Sequence, residues 1–396
     1  MHARAPHPTA PARPRARRDR PAAASRRAPA ARAASSTAAA AAPASSSAPA
    51  ARALTVALPD DGTPLELLFH PPAAPPSIGA APRPPVLLVH GSYHAAWCWR
   101  DTFMPYLAKR GWPVYAVSLR GQGRSGRRPA PGLDAEGKVA GTLSTHARDL
   151  AAVCEAVAAG FGEATTPSAA GTPSRPAPVV CAHSFGGLIL QELLSSPPPP
   201  PPAAADTAAA GPSAAAAKPP LPLLSGAAYL GSVPPSGNKA MVGRFLRRDP
   251  WLSARLTYAF ITASFARDAR TCRACFLAED APDALAESVR ASIASHLSPL
   301  RLIDLQDMSR RVPLARPLSA AVPSLVLRGT EDGVVDAEAA EELARWVSGD
   351  GARGASADSA PPAVRRVEIE GLAHDVMLDV RWEEAARELA AWLETL

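Results

Sequence analysis

From residue 86 onward, two patterns of apolar positions alternate along the chain. Short continuous apolar runs occur at Val86–Val89, Pro113–Val117, Leu223–Leu230, Ser324–Leu327 and Val364–Ile369, and again from Val179. Their length and β-branched content are those of strands buried on both faces of a parallel sheet. Between them the apolar residues fall at helical spacing, over Arg100–Arg110, Ser144–Ala159, a segment ending near Ser195, Ala337–Val347 and Trp382–Leu393. In the second of these, Leu150, Val153 and Val157 share one face. Strands alternating with helices predict an α/β fold, a mostly parallel sheet flanked by helices on both faces. Ahead of it, Leu54–Leu58 and Leu65–Phe69 predict a hairpin around Asp60-Asp61-Gly62.

Two stretches break the alternation. Over 233–314 the patterns are helical only (Met241–Leu246, Leu252–Phe265, Ala284–His296), which predicts a helical lid inserted into the core. Residues 196–222, with six consecutive prolines at Pro197–Pro202, can bury almost nothing and predict a disordered surface loop; a proline-rich docking segment is the alternative. The expected organisation is a leader over 1–52, a first core part over 53–232 carrying the 196–222 insertion, the lid over 233–314, and a second core part over 315–396.

Charge changes the picture only at the N-terminus. The chain carries a net +6, which by itself invites a nucleic-acid partner. Residues 1–52 hold ten Arg, no Lys and one acid, Asp19, so they account for +9 and leave −3 for the remainder. The expected folded part is therefore mildly acidic, and no nucleic-acid partner is expected. The leader is rich in Arg, Ala, Ser and Pro and has no apolar h-region, which reads as an organelle transit peptide, for the chloroplast or alternatively the mitochondrion. A disordered basic tail is the other reading. No run of about 18 apolar residues exists, so no transmembrane segment is expected. The five cysteines are scattered, and Cys272-Arg-Ala-Cys275 lacks both a thioredoxin-like setting and a second pair for zinc.

The chemistry gathers at Val179-Val180-Cys181-Ala182-His183-Ser184-Phe185-Gly186-Gly187. A strand, a tight turn of small residues with a serine at its tip, and a helix starting at once are the context of a nucleophile elbow, although Ala182 stands where G-x-S-x-G has its first glycine. A serine hydroxyl needs a base. His374, after the run Val364–Ile369, supplies one whose imidazole titrates near neutrality. Asp332, after Ser324–Leu327, is the acid that orients it, with Glu331 and Asp336 as rivals. An oxyanion needs two donors: the Phe185 N–H, next to the nucleophile, and one from the loop after Val86–Val89 at Ser92. His90 and His94 are read as structural or loop-orienting, since a glycine separates them and no third metal ligand is evident. No cofactor or metal is expected.

From about Val86 to Leu396 the chain resembles the α/β-hydrolase superfamily, in the type with a helical lid between core strands. His90-Gly91-Ser92-Tyr93-His94-Ala95-Ala96-Trp97-Cys98-Trp99 resembles the H-G-x-x-H-x-x-W-x-W loop of plant methylesterases and hydroxynitrile lyases. Gly371-Leu372-Ala373-His374-Asp375-Val376-Met377-Leu378-Asp379 is similar to the tail of plastid-type hydrolases of plants, algae and cyanobacteria. The resemblance implies Ser184, Asp332 and His374 as a triad with Ser92 and Phe185 as oxyanion donors. Ser118 departs from it, standing where many relatives have Asp before the R-G-x-G-x-S loop.

The expected activity is hydrolysis of a carboxylic ester or thioester through an acyl-enzyme. Phe245, Leu246, Trp251, Phe260 and Phe265 in the lid suit a lipophilic small-molecule substrate. The alternatives are hydroxynitrile-lyase-like or cofactor-free peroxidase chemistry on the same residues, or a hydrolase-like protein that binds a ligand without turnover. The absence of a Lys beside the acid or base disfavours the lyase.

Overall fold

Ten strands form in the computed structural model, which describes residues 50–73, 82–127, 138–163, 176–195, 224–315, 322–349 and 364–396. Nearly all of the leader and all of the 196–222 insertion lie outside the described residues. The hairpin β1 (Arg52–Ala57) and β2 (Pro64–His70) opens the fold and pairs antiparallel as expected. Six parallel strands build the rest of the main sheet: β3 (Val86–Val89), β4 (Val114–Val117), β6 (Val179–His183), β7 (Gly226–Leu230), β9 (Ser324–Gly329) and β10 (Val364–Ile369). The order is β1-β2-β4-β3-β6-β7-β9-β10, with β2 antiparallel to β4.

The continuous apolar runs follow from two-sided burial. Alternate strand residues point to opposite faces. Leu87, Val89, Val180, Ala182, Tyr229 and Val326 pack with α3 (Leu143–Ala158), α4 (Phe185–Ser195) and α10 (Ala337–Ser348). Their neighbours Val86, Leu88, Cys181, Ala228 and Leu327 pack with α1 (Trp97–Arg100), α2 (Phe103–Ala108) and α11 (Trp382–Leu393). Trp99 and Trp112 are fully buried on this second face.

Two expectations change. The helix expected over Arg100–Arg110 is two short ones, α1 and α2, broken at Thr102, whose backbone is not helical. Restarting at Phe103 leaves Pro105 in a first turn, where its missing N–H is no loss. The 233–314 segment holds α5 (Lys239–Arg248), α6 (Pro250–Thr262), α7 (Ala269–Phe276), α8 (Asp283–His296) and α9 (Leu305–Arg311), but it is not purely helical. A three-residue strand, β8 (Arg301–Ile303), pairs in parallel with β5 (Val139–Gly141) of the core. Strands this short leave no readable period.

Candidate active site

The carboxyl ends of β3, β6, β9 and β10 converge at one edge of the sheet, where α/β folds hold their ligands. Ser184 follows β6 directly and holds the left-handed conformation, φ +53°, which thrusts its side chain out of the strand–helix line. The turn is fixed from both sides: Ser184 N–H donates to the Leu230 carbonyl (3.2 Å), and its own carbonyl accepts from Gly187 (3.0 Å) and Val233 (3.2 Å). A side chain on Gly186 would meet the His90 carbonyl at 2.5 Å, and one on Gly187 the Ser232 hydroxyl at 2.0 Å. These glycines let the helix pack against both neighbouring loops. Ala182 lies within β6, paired with Val89 and Tyr229, outside the left-handed region. A Cβ there meets no backbone strain.

Ser184 Oγ lies 3.1 Å from His374 Nε2, and His374 Nδ1 lies 3.0 Å from both oxygens of Asp332. All three side chains are buried. Since a carboxylate only accepts, Nδ1 carries the proton and Nε2 is left to accept from the serine hydroxyl. Asp332 Oδ1 also accepts from the N–H groups of Val334 and Val335, each at 2.8 Å, which hold the carboxylate in place. Burial by itself would lower the His374 pKa, but the Asp332 carboxylate, aided by Asp375, raises it above the ordinary histidine value. The rival acids are elsewhere. Glu331 accepts from the Glu279 N–H, and Asp336 caps α10 and forks onto Arg244 with two 2.6 Å bonds.

The loop after β3 carries Ser92 to the same cavity, and a Cβ on Gly91 would lie 2.7 Å from that of Ser184. Phe185 is the first residue of α4, so its N–H has no acceptor within the helix. His90 accepts from Leu119 N–H through Nε2 (2.9 Å) and donates through Nδ1 to the Gly91 carbonyl (2.7 Å). Burial drives its pKa down to about 3, so it orients the loop as a neutral ring.

His94 does more than its sequence context indicated. It donates from Nδ1 to the Ser92 carbonyl (3.0 Å), and its Nε2 lies 2.9 Å from Asp375 Oδ2. Despite burial, the Asp375 charge raises the His94 pKa, and His94 in return holds Asp375 below its ordinary value against the same burial. His183 Nε2 donates to the His374 carbonyl (2.9 Å) and stays neutral, its pKa lowered to about 3 by burial and by the neighbouring His374. Donor atoms of His183, His374 and Asp375 lie within 4.8 Å of one another. His374 is engaged on both nitrogens and Asp375 is ion-paired with His94, so these two are taken up by their own partners rather than left as an open ligand set. No sequence signal short of the fold joins residues 94, 183 and 375.

Ser118 is also accounted for. Its hydroxyl donates to Glu66 Oε2 (2.6 Å) and accepts from Ala96 N–H (3.0 Å), while Glu66 also receives the Arg124 N–H (3.1 Å). A carboxylate reaching over from β2 thus stands in this loop although the sequence has serine. Cys272 and Cys275 are buried free thiols, pushed far above their ordinary pKa by burial (Cys275 to about 12), and they pack with Phe265 and Phe276. That is a core role, since a reactive thiol needs a lowered pKa.

A cavity of about 590 Å³ opens over Ser184, between the strand ends and the helical segment. Of the five apolar residues assigned to a substrate pocket, Phe245 and Phe260 line it. Phe265 is buried among the helices instead, and Leu246 and Trp251 face solvent.

The profile of the family described as alpha/beta hydrolase matches residues 86–392. No curated protein matches the chain in sequence. Among solved structures, the chain is similar to a putative aryl esterase from Burkholderia cenocepacia (20% identity, 87% of this chain and 98% of that one, TM-score 0.51). It is likewise similar to a bromoperoxidase from Bacillus anthracis (16% identity, 87% and 100%, TM-score 0.52). A laboratory-evolved potato epoxide hydrolase also matches (18% identity, 87% and 100%, TM-score 0.54). At such identities the likeness is one of fold, and the matched activities differ among themselves.

Proposed function

The chain belongs to the alpha/beta hydrolase family, and within it we propose that the chain is a serine hydrolase cleaving a carboxylic ester or thioester of a lipophilic small molecule. The observation that carries this reading is the unbroken hydrogen-bonded line from Ser184 Oγ through His374 to Asp332 at the floor of the cavity.

In this reading Ser184 Oγ attacks the acyl carbon while His374 Nε2 takes its proton. Asp332 holds the ring tautomer and stabilises the imidazolium without itself becoming protonated. The negative charge moves to the acyl oxygen, where the N–H of Phe185 and a donor at Ser92 stabilise it; losing one such donor costs on the order of 3 kcal/mol. Collapse breaks the bond to the alcohol or thiol, which leaves with the proton from His374. Water, deprotonated by the same imidazole, then attacks the acyl-enzyme and releases the acid. The 233–314 segment acts as a lid over this site, and its Phe245 and Phe260 give the acyl or alcohol group an apolar wall.

A fluorophosphonate probe should label the wild-type protein and fail to label Ser184→Ala, which should also lose turnover across a panel of acyl esters and thioesters. Hydrolysis by Ser184→Ala within tenfold of wild type would sink the assignment, and an unlabelled wild-type serine would point to ligand binding without turnover.

A further inference from the structure

Most of the large hydrophobic residues that are exposed among the described residues are gathered on one helical hairpin. Of ten large hydrophobic residues that are exposed, six lie on α5 and α6: Val242, Leu246, Trp251, Leu252, Tyr258 and Ile261. Trp251 is 83% exposed, Ile261 79% and Tyr258 65%, more than any other large hydrophobic residue described. Such a patch on an otherwise polar protein marks a binding surface. Trp251, Arg255 and Tyr258 follow one another at i, i+4 and i+7, so a cation sits between two amphipathic aromatic rings on one stripe of α6.

Charge points the same way. Residues 239–262 carry Lys239, Arg244, Arg247, Arg248 and Arg255 against Asp249 alone, a net +4 inside a 53–396 segment that totals −3. Arg244 and Arg248 are taken up by Asp336 and Glu338. Lys239, Arg247 and Arg255 are exposed and make no ion pair among the described residues. The apolar surface is also continuous with the active-site cavity, because Val242 and Ile261 both face solvent and line it, as does Leu305 at the start of α9.

We propose that the α5–α6 hairpin is a docking surface for an anionic lipid bilayer, seated so that the Ser184 cavity opens toward the lipid. Apolar and aromatic side chains enter the headgroup boundary while unpaired Lys and Arg meet anionic headgroups, the recognised chemistry of a peripheral interfacial helix. Trp and Tyr suit that level because each has one apolar and one polar end. A second copy of the chain is the weaker occupant, since a two-fold contact on this face would set +4 against +4. The link to an acyl substrate rests on the esterase reading; the docking itself does not.

The test is cosedimentation of the full chain with vesicles of phosphatidylcholine alone and of phosphatidylcholine with phosphatidylglycerol. The expected result is at least about tenfold stronger partition onto the anionic vesicles, weakened by salt. It should fall by at least about tenfold in Trp251→Ala/Tyr258→Ala and in Lys239→Gln/Arg247→Gln/Arg255→Gln. None of these residues lines the cavity, so both variants should hydrolyse a soluble short-chain ester like the wild type, which also shows that they fold. Absence of binding to either vesicle, or equal binding by the variants, overturns the proposal. So does a dimer in solution that Trp251→Ala/Tyr258→Ala dissociates. Vesicle binding without ester turnover would leave the docking surface standing and remove the esterase reading.

Discussion

Asp375 lies 2.9 Å from His94, both out of contact with water, and the pair ties the loop after β10 to the loop after β3. One end of the tie is bonded in sequence to His374; the other grips the carbonyl of Ser92. His374 and the Ser92 loop are therefore positioned by a single buried charge pair, which lies outside the Ser184–His374–Asp332 line.

Removing the anion should be costly. Asp375→Asn leaves His94 without its counter-charge, and breaking a buried pair from one side typically costs about 3–5 kcal/mol. Urea unfolding should show a loss of that order, with reduced kcat in what remains folded. The pair's contribution has a defined pH window. Asp375 is held below its ordinary pKa, so its share is present above about 4 and is lost as pH falls through the lowered value. His94 is held above its ordinary value, so its share is full below about 6.5 and is lost as pH rises through the raised value. In Asp375→Asn that dependence should flatten.

As the proposed base, His374 must be neutral to accept a proton, and its pKa stands above the ordinary value of 6.5. The acid limb of kcat/KM for a soluble ester should therefore have its midpoint above 6.5. Asp332→Asn removes the charge that holds it there. The limb should move to lower pH and kcat should fall by on the order of 10⁴. An unmoved limb would mean that another group is titrating.

Gly91→Ala tests how tightly the loop after β3, proposed to hold the second oxyanion donor, rides on Ser184. The new methyl group would meet Ser184 Cβ at 2.7 Å and the His183 carbonyl at 3.2 Å, and neither can swing away freely. The loop must retreat, so kcat should drop by on the order of 10²–10³, the scale of a lost oxyanion donor. KM should change little, since the cavity wall is otherwise intact. Full activity would place the second donor somewhere other than this loop.

Much of this was legible in the chain because burial on both faces leaves continuous apolar runs. Val86–Val89, Val364–Ile369 and Trp382–Leu393 have the same bounds in the sequence reading and in the fold. Ser184, Asp332 and His374 could be picked out because each follows its own strand, and the fold brings those strand ends together. What could not be read depends on proximity across the sheet. Glu66 meets Ser118 from 52 residues away, and Asp375 meets His94 from the far end of the chain. The β5–β8 pair is too short to leave a pattern, and Leu246 and Trp251 fit a pocket as well as a surface until the helices are placed.

The leader remains an expectation of composition. A fluorescent protein fused behind residues 1–52 should enter the chloroplast, and mass spectrometry of the imported chain should find a new N-terminus near Ala53. A cytosolic signal with Met1 retained would leave the basic-tail reading.

The ring of polar contacts around Arg120 sets a physical limit on any such trimming. Asp149 grips the buried guanidinium with two bonds of 2.8 and 2.9 Å, and Asp61 and Thr63 of the opening hairpin complete it at 2.6 and 2.9 Å. Although burial acts to raise it, Asp61 is held at a pKa of about 2 by Arg120 and Thr63. Upstream, Arg52 still donates to the Gly162 carbonyl and lies over the Phe69 ring. The family-matched segment beginning at residue 86 therefore leaves out β2, which pairs with β4, and two of the three residues that hold Arg120. A protease that cut a few residues past Arg52 would begin to unpick the edge of the sheet, and one that cut past Thr63 would leave a buried cation with two of its four bonds, both to Asp149. If a leader is removed from the chain, the hairpin that also lends Glu66 to the Ser118 loop therefore marks where that removal has to stop.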